Sequence, residues 1–311
     1  MNYFDRLDED IVPFHLLPRL DGETLIRLSC VSPEFRHLII NNEDLMRKIC
    51  ISTWPSLLYG DGIGCRKVSR FPSSYRSFFC QAFPSIDEHH PLPPPPPSPR
   101  PVTFFMYNMD IFLQGQREPC YSGLYLDQVD TTEMEQVDTT MERLLGPKLY
   151  YDTRRTFKIH WPCGLARADR RKFFSVKKEK EGCEEYLKQN MSLSCVVVEI
   201  YRSCAGSLFH PSTCKPVSVK ETRIRLPISV EVEVVFETFI PAPVGFYTEM
   251  VKCEVKITCC GWEEGDEEKF YMDTIEFTMD DMNGEQLTRK DGNLIISNAI
   301  ENGERKINKQ T

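Results

Sequence analysis

The feature that most limits the possible folds is the alternation of apolar and polar residues in the second half of the 311-residue chain. In ISVEVEVVFETF, apolar side chains from Ile228 to Phe236 occupy every second position, with Ser229 and glutamates between them. VKCEVKITC and DTIEFTM repeat the pattern. A period of two is typical of antiparallel strands that bury one face and expose the other. No segment of the length of a βαβ helix separates these strands, so a β-sandwich or an open barrel is predicted.

The beginning of the chain has a helical period instead. DGETLIRLSC offers Asp21 as a helix N-cap, and SPEFRHLII offers Ser32 as a cap with Pro33 at the first helical position. NNEDLMRKIC restarts with Asn42 as its cap. Isolated helices shorter than about 12 residues are marginal in water, so packing must hold these pieces together. Their leucines exceed what one core layer can use, which indicates either a surface for a partner or a face that the second domain covers.

A proline run separates the two periods. PLPPPPPSPRP (Pro91–Pro101) predicts an extended polyproline II stretch. It is either a ligand for SH3-like or WW-like domains or a spacer of roughly 30 Å, at about 3.1 Å per residue. We favour the spacer, because the run lies where the period changes. The sequence thus predicts an α+β chain with a small helical module at 5–83, a Pro-rich linker at 84–101 and an antiparallel β-sandwich-like domain at 102–311.

Composition limits the compartment and the partners. A net charge of −8 argues against general nucleic-acid binding and gives no reason to expect affinity for an anionic membrane surface. No apolar run approaches the roughly 20 residues of a membrane-spanning helix, and MNYFDRLDED does not resemble a signal peptide. The thirteen cysteines are scattered, as is typical of reduced core thiols. We therefore expect the chain in the cytoplasm, the nucleus or both.

The sequence contains no pattern typical of an enzyme. His160 and His210 are isolated, and neither a Gly-rich phosphate loop nor HExxH or GxSxG occurs. The acidic run Glu263–Glu268 lacks the ligand spacing of an EF-hand, and the cluster of Cys253, Cys259 and Cys260 lacks a second metal-binding pair. We therefore predict a non-catalytic protein with no cofactor and no metal.

Two further segments have open interpretations. QVDTTEME and QVDTTMER follow each other directly within 128–143, and we interpret this duplication as a surface loop. RADRRKFFSVKKEK (residues 167–180) is the one concentrated basic region. It is a nuclear-import signal, a patch for an acidic or phosphorylated target, or a solvated loop, and we favour the last.

Residues 10–50, DIVPFHLLPRLDGETLIRLSCVSPEFRHLIINNEDLMRKIC, resemble the F-box, which docks substrate receptors onto the Skp adaptor of cullin–RING ubiquitin ligases. The RL-(x)4-L-(x)2-L spacing and the CVS..FR.L run are specific in combination. ISTWPSL, FPSSYRSFF and the C-terminal DMNGEQLTRKDGNLIISNAIENG are similar to one plant F-box subfamily with a C-terminal β-rich region. The resemblance covers both ends of the chain and is thin from Pro91 to Lys188.

The resemblance implies a substrate receptor that binds the Skp adaptor and, through it, cullin and RING subunits, together with a target protein that the sequence does not identify. No nucleic-acid and no membrane partner is expected, because the net charge of the chain is −8. It places the following apolar residues at the adaptor face or in the core beneath it, two roles that the sequence does not separate: Val12, Leu16, Leu17, Leu20, Leu25, Leu28, Val31, Phe35, Leu38 and Leu45.

The chain also departs from the F-box pattern. Pro13 and Pro18 fall inside the expected first helix, where an interior proline costs about 3 kcal/mol. Phe35 and Met46 stand where many F-boxes have tryptophan, and either departure could weaken the adaptor contact. The alternative function is therefore a carbohydrate- or ligand-binding β-sandwich with a weakened F-box. Trp161 and Trp262, placed near turn signals, would either stack on a sugar or plug the ends of the sandwich.

Overall fold

The structure is a computed structural model. It describes residues 11–40, 42–94, 104–116, 118–128, 156–162, 173–177, 182–210, 214–224, 229–265 and 267–305. N-terminal helices are followed by antiparallel sheets, so the predicted α+β class is confirmed. The predicted boundaries of the three parts of the chain stay a prediction. Within the described ranges, no helix has both the length and the apolar character needed to cross a bilayer.

Among the described residues, five short helices form the N-terminal layer, and two of them begin at caps that the sequence predicts. Asp21 Oδ1 accepts a hydrogen bond from the Thr24 amide at 2.8 Å, and Asn42 Oδ1 accepts one from the Leu45 amide at 3.0 Å. Satisfying these free N–H groups stabilises a helix N-terminus by about 1 kcal/mol. The helices are α1 (Gly22–Val31), α2 (Pro33–Ile40), α3 (Glu43–Thr53), α4 (Tyr59–Val68) and α5 (Ser74–Ala82), with a 3₁₀ turn at Pro55–Leu58 between α3 and α4.

The prediction that Pro13 and Pro18 interrupt one helix is wrong. The chain instead forms a π-helical turn at Val12–Leu16 and a separate 3₁₀ turn at Leu17–Arg19. Each proline lies within the first two positions of its own turn, where the missing N–H has no intrahelical partner to lose. The expected penalty of an interior proline therefore does not arise.

Two antiparallel sheets make up the β-rich part. The smaller sheet has the strand order β2-β1-β5-β6, and the larger has the order β3-β10-β9-β8-β7, with β4 also paired to β10. The strands are β1 (Phe104–Leu113), β2 (Tyr121–Gln128), β3 (Lys158–Pro162), β4 (Phe173–Lys177), β5 (Met191–Glu199), β6 (Cys204–Phe209), β7 (Ser218–Ile224), β8 (Ser229–Pro241), β9 (Met250–Glu264) and β10 (Glu267–Asp281).

The inner faces of the two sheets share one hydrophobic core. In β8, β9 and β10 every second residue is buried in this core, as the alternation predicts, although Ile228 lies outside the described residues. A short helix α6 (Gly182–Asn190) precedes β5. The predicted C-terminal helix is present as α7 (Arg289–Asn302), capped by Thr288, and Ile295 and Ile296 bury their side chains in the same core.

The smaller sheet is buried on both of its faces. Phe105 and Tyr107 of β1 face the larger sheet, whereas Met106 and the β5 residues Val196 and Val198 belong to the core of the helical layer. The alternation that predicts one solvent-facing side in β8 to β10 does not describe β1 and β5, which are buried on both sides. The helices cover the outer face of this sheet, so the molecule has three layers.

The beginning of the predicted linker packs on the β-rich part. Ile86 donates its amide hydrogen to the Ser207 carbonyl at 3.1 Å, and the Leu92 carbonyl accepts a hydrogen bond from Val244 at 3.0 Å. Both side chains are buried in the core between the sheets. Residues up to 94 are therefore not a free spacer, and the rest of the proline run lies outside the described residues.

Candidate adaptor-binding surface

The structure separates the ten residues that the F-box resemblance singled out into three groups. Val12, Leu17, Leu25 and Leu45 are buried within the core of the helical layer. Side chains in a close-packed core stabilise the fold, which is the role that burial gives these four residues. Five others are partly buried and pack against that core while keeping some exposed area: Leu16, Leu20, Leu28, Phe35 and Leu38.

Val31 forms the third group by itself. Its side chain is 77% exposed at the last turn of α1. Leu25, Leu28 and Val31 are three residues apart, and each such step rotates the side chain by about 60° around the helix axis. The row therefore passes from the core at Leu25, through partial burial at Leu28, to solvent at Val31.

Three exposed apolar residues were missed in the sequence. Phe14 is 66% exposed, and Ile11 and Ile40 are also exposed. Phe14 lies in the π-helical turn, off the Val12–Leu16 row, which is why a search for i, i+4 rows passed over it. The signal in the sequence is a large aromatic residue that lies between Pro13 and Pro18 and outside every apolar stripe.

We call these exposed and partly buried residues the apolar front. It consists of Ile11, Phe14, Leu16, Leu20, Leu28, Val31, Phe35, Leu38 and Ile40. All of them lie on the two turns and on α1 and α2, which pack mainly against each other and against α3. The sheet is contacted mainly through α4, α5 and the Pro55–Leu58 turn. The β-rich part therefore leaves the apolar front uncovered, although it covers other parts of the helical layer.

Two acidic residues beside the apolar front have polar partners. Glu23 pairs with Arg27 along α1. The Ser32 hydroxyl donates a hydrogen bond to Glu34 at 2.5 Å, and this bond lowers the pKa of that carboxyl. Glu34 therefore stays ionised at neutral pH. The surface offers apolar contact with a charged rim, which is the usual composition of a helix-docking interface.

The two positions where many F-boxes have tryptophan lie in different environments. Met46 is buried in the helical core, whereas Phe35 is partly exposed in the apolar front. The core instead contains Trp54, whose ring centroid lies 5.3 Å from those of Phe78 and Phe79. Met46 therefore acts on packing within the layer, and only Phe35 is placed to contact a partner directly.

The structure gives little support to the candidate sugar and metal sites of the β-rich part. Trp262 lies in β9 rather than in a loop, with its ring centroid 5.5 Å from that of Phe173. The side chain of Trp161, the duplicated QVDTT loop and most of the basic stretch lie outside the described residues, so sugar binding stays a prediction. The sulfur of Cys183 and the carboxylates of Glu221 and Glu268 lie within 4.8 Å of one another. Arg223 already forms ion pairs with both glutamates, so their charge is compensated without a cation.

The described cysteines are free thiols. Burial raises the pKa values of Cys50, Cys195 and Cys253, so these thiols stay protonated at neutral pH. A protonated thiol is a poor nucleophile and a poor metal ligand. Their environment is that of core side chains, in agreement with the interpretation from the sequence.

Several known proteins are similar to this chain over most of its length. The chain is similar to "Probable F-box protein At2g36090" of Arabidopsis thaliana, with 27% identity over 94% of this chain and 74% of the relative. It is also similar to "F-box protein At2g27310" and "F-box protein At3g44326" of the same plant, at 24% and 26% identity over 95% and 91% of this chain and 78% and 70% of those relatives. The resemblance to a plant F-box protein subfamily is confirmed.

The similarity to these F-box proteins extends over the helical layer and the β-rich part together, not over the first fifty residues alone. No protein-family model and no solved structure matches the chain. The three-layer arrangement is therefore described from this structure alone.

Proposed function

We propose that this protein is the substrate-recognition subunit of a Skp–cullin–F-box E3 ubiquitin ligase. The helices bind the Skp adaptor through the apolar front, and the β-rich part binds a target protein. The observation that carries the proposal is the apolar front itself: the first helices of an F-box relative keep large apolar side chains exposed while their other side packs against the rest of the helical layer. Burial of such a surface is the main source of affinity in helix docking.

In this proposal the subunit is non-catalytic and needs no cofactor. Cullin and RING subunits assemble through the adaptor, and ubiquitin transfer takes place on other chains. The contribution of this protein is proximity, because holding the target beside the ubiquitin-loaded enzyme turns a slow bimolecular encounter into a local one. Its location would be the cytoplasm, the nucleus or both.

Packing between the layers supports this role. Ser56 donates two hydrogen bonds to Asp110 of β1, from its amide at 2.8 Å and from its hydroxyl at 2.6 Å, and both side chains are buried. Trp54 and Met106 belong to the same hydrophobic cluster. A target bound to the β-rich part would therefore be held at a set position relative to the adaptor.

Co-purification with a plant Skp adaptor tests the proposal, with Val31→Asp as the decisive variant. Burying a valine stabilises a complex by about 1.5–3 kcal/mol, and an uncompensated carboxylate in the contact adds a further cost. Since about 1.4 kcal/mol is a factor of ten, the affinity should fall at least ~10-fold. The variant should stay folded, because Val31 is exposed and outside the helical core.

Val217→Asp is the matched control, since Val217 is also exposed but lies beside β7 in the β-rich part. It should bind the adaptor like the wild type. Leucines such as Leu20 and Leu28 are poorer test sites, because they also pack against the helical core and their loss would weaken folding. Failure of the wild type to bind, or equal binding by the wild type and Val31→Asp, would refute the proposal.

A further inference from the structure

One end of the larger sheet exposes three large apolar side chains. Val244 is 57%, Tyr247 64% and Met282 58% exposed. The strand register brings them to the same end: Ile240 of β8 pairs with Val251 of β9, and Val251 pairs with Asp281 of β10. The β8–β9 connection and the residues after β10 therefore lie at the same end of these three strands. We call this surface the loop end. It consists of Val244, Tyr247 and Met282 with the nearby carboxylates of Asp281, Glu285 and Asp291.

The loop end is held in place by backbone hydrogen bonds. Ala242 donates to the Glu249 carbonyl at 2.9 Å, closing the β8–β9 connection, and Phe246 donates to the Pro243 carbonyl at 3.0 Å. The rings of Phe246 and Tyr247 stack with their centroids 4.5 Å apart. Exposed apolar side chains on such an ordered loop lose little conformational freedom when a partner covers them.

The charges that act on Tyr247 are negative. Burial and the nearby carboxylates of Asp291, Asp281 and Glu285 all raise the pKa of its hydroxyl. The Asp281 carboxylate is fixed by hydrogen bonds from the amides of Glu285 at 2.9 Å and Asn283 at 2.8 Å, which lower its pKa. It therefore remains ionised at neutral pH.

These carboxylates differ from others on the same sheet. No lysine or arginine in the described ranges forms an ion pair with Asp281, Glu285 or Asp291. Near the exposed ring of Trp262, by contrast, Glu263 pairs with Arg223 at 2.9 Å and Glu264 pairs with Lys269 at 2.6 Å. An exposed aromatic residue lies at both places, but the carboxylates at the loop end, of which Asp281 is buried and Asp291 accepts a hydrogen bond from the Thr288 hydroxyl at 2.7 Å, form no ion pair among the described residues.

We propose that the loop end binds a basic segment of the target protein. In this arrangement an arginine or lysine of the target lies over the Tyr247 ring and beside the carboxylates, and an apolar side chain packs on Val244 and Met282. Cation–π contact and carboxylates without an ion-pair partner among the described residues both favour a cationic partner. The inference rests on the proposed function, which gives the β-rich part a target to recognise.

Fluorescence anisotropy with the full chain tests this site. The probe is a labelled peptide in which arginines and lysines flank one leucine and one phenylalanine, and its counterpart replaces every basic residue by aspartate or glutamate. We expect binding of the basic peptide only, weakening as salt shortens the Debye length from about 10 Å at 0.1 M to about 3 Å at 1 M. Tyr247→Ser should weaken binding by about 3- to 30-fold.

Tyr201→Ser is the matched control, because Tyr201 has the same exposed fraction as Tyr247 (64%) but lies between β5 and β6. It should bind the basic peptide like the wild type. No binding of the basic peptide, equal binding of the acidic peptide, or equal losses in the two tyrosine variants would overturn the inference.

The adaptor assay separates this inference from the proposed function. Tyr247→Ser should co-purify with the Skp adaptor like the wild type, because the residue is in the β-rich part. Peptide binding that persists in a chain that fails to bind the adaptor would refute the ligase role and leave the loop end as a peptide site. Adaptor binding without peptide binding would refute the loop end alone.

Discussion

The contact between Ser56 and Asp110 gives the sharpest test of how the helical layer and the smaller sheet are joined. Ser56 belongs to the Pro55–Leu58 turn, and Asp110 points from β1 toward that turn rather than into the core between the sheets. Both residues are fully buried. Ser56→Ala removes the hydroxyl that donates to Asp110 Oδ2 at 2.6 Å and leaves the amide bond to Oδ1 in place.

The expected loss of stability follows from the nature of the acceptor. The hydroxyl donates to a fully buried acceptor, and leaving a buried acceptor without one of its donors costs about 1–3 kcal/mol. Ser56→Ala should therefore lower the free energy of unfolding by about 1–3 kcal/mol. Alanine keeps the backbone of the turn, so the change isolates the hydroxyl.

Urea unfolding followed by tryptophan fluorescence measures this loss, since Trp54 lies two residues from Ser56 in the helical core. Ser69→Ala is the matched control: its hydroxyl donates to the Arg66 carbonyl at 2.9 Å on the surface, and its loss should change stability by no more than about 0.5 kcal/mol. Equal changes in the two variants would show that the buried contact does not join the layers as argued.

Two further predictions concern packing and pH. A Cβ added at Gly22 would lie 2.2 Å from Phe79 Cζ and 2.9 Å from Ile49 Cγ2, so Gly22→Ala should lower the free energy of unfolding by about 1–3 kcal/mol in the same urea assay. Burial lowers the pKa of His210, so the unfolded chain binds a proton at higher pH than the folded chain and stability falls as the pH drops below about 6.5. His210→Gln should reduce the difference in urea midpoint between about pH 7.5 and 5.5, and an unchanged difference would contradict the assignment.

Local patterns in the sequence were sufficient for several of the helices and strands. The caps at Asp21 and Asn42 depend on side-chain oxygens within three residues of the amides that they accept from, and the alternation in β8 to β10 depends on neighbours along one strand. Such short-range causes can be recognised in the sequence. The two proline-containing turns were mistaken for one helix, because a single apolar row spans both of them.

The burial of the outer face of the smaller sheet beneath the helices could not be predicted from such short-range patterns. Asn108 and Asp110 give β1 a polar side, and polar residues at every second position normally indicate solvent. Here Asp110 accepts its hydrogen bond from Ser56, 54 residues away, and the side-chain Nδ2 of Asn108 donates to the Val196 carbonyl at 3.3 Å. Partners so far apart in sequence leave no periodic signal.

The sequence predicted a group of apolar residues that contains most of the candidate site, but not which of them are exposed at its surface. The surplus of leucines indicated either a surface for a partner or a face that the second domain covers, and the apolar front is the part that stays exposed. Which residues form it depends on the rotation between helices: Leu25 and Val31 belong to the same row, yet one is fully buried and the other exposed. Phe14 was missed because its exposure arises from an irregular turn.

The junction between the layers also changes what the linker can do. Arg305, near the C-terminal end of the described chain, donates hydrogen bonds to the carbonyls of Gln81 at 2.8 Å, Ala205 at 3.0 Å and Ile300 at 3.1 Å. One guanidinium thus connects α5, β6 and α7, and Gln81 in turn accepts a hydrogen bond from the Ala205 amide at 2.9 Å. With Ile86 and Leu92 also buried on the β-rich part, these contacts join the helices to the sheets whatever the length of the proline run. The reach from adaptor to target would then be set by packing, so changing the number of prolines should matter less to the ligase than loosening the contacts of Arg305 or Asp110.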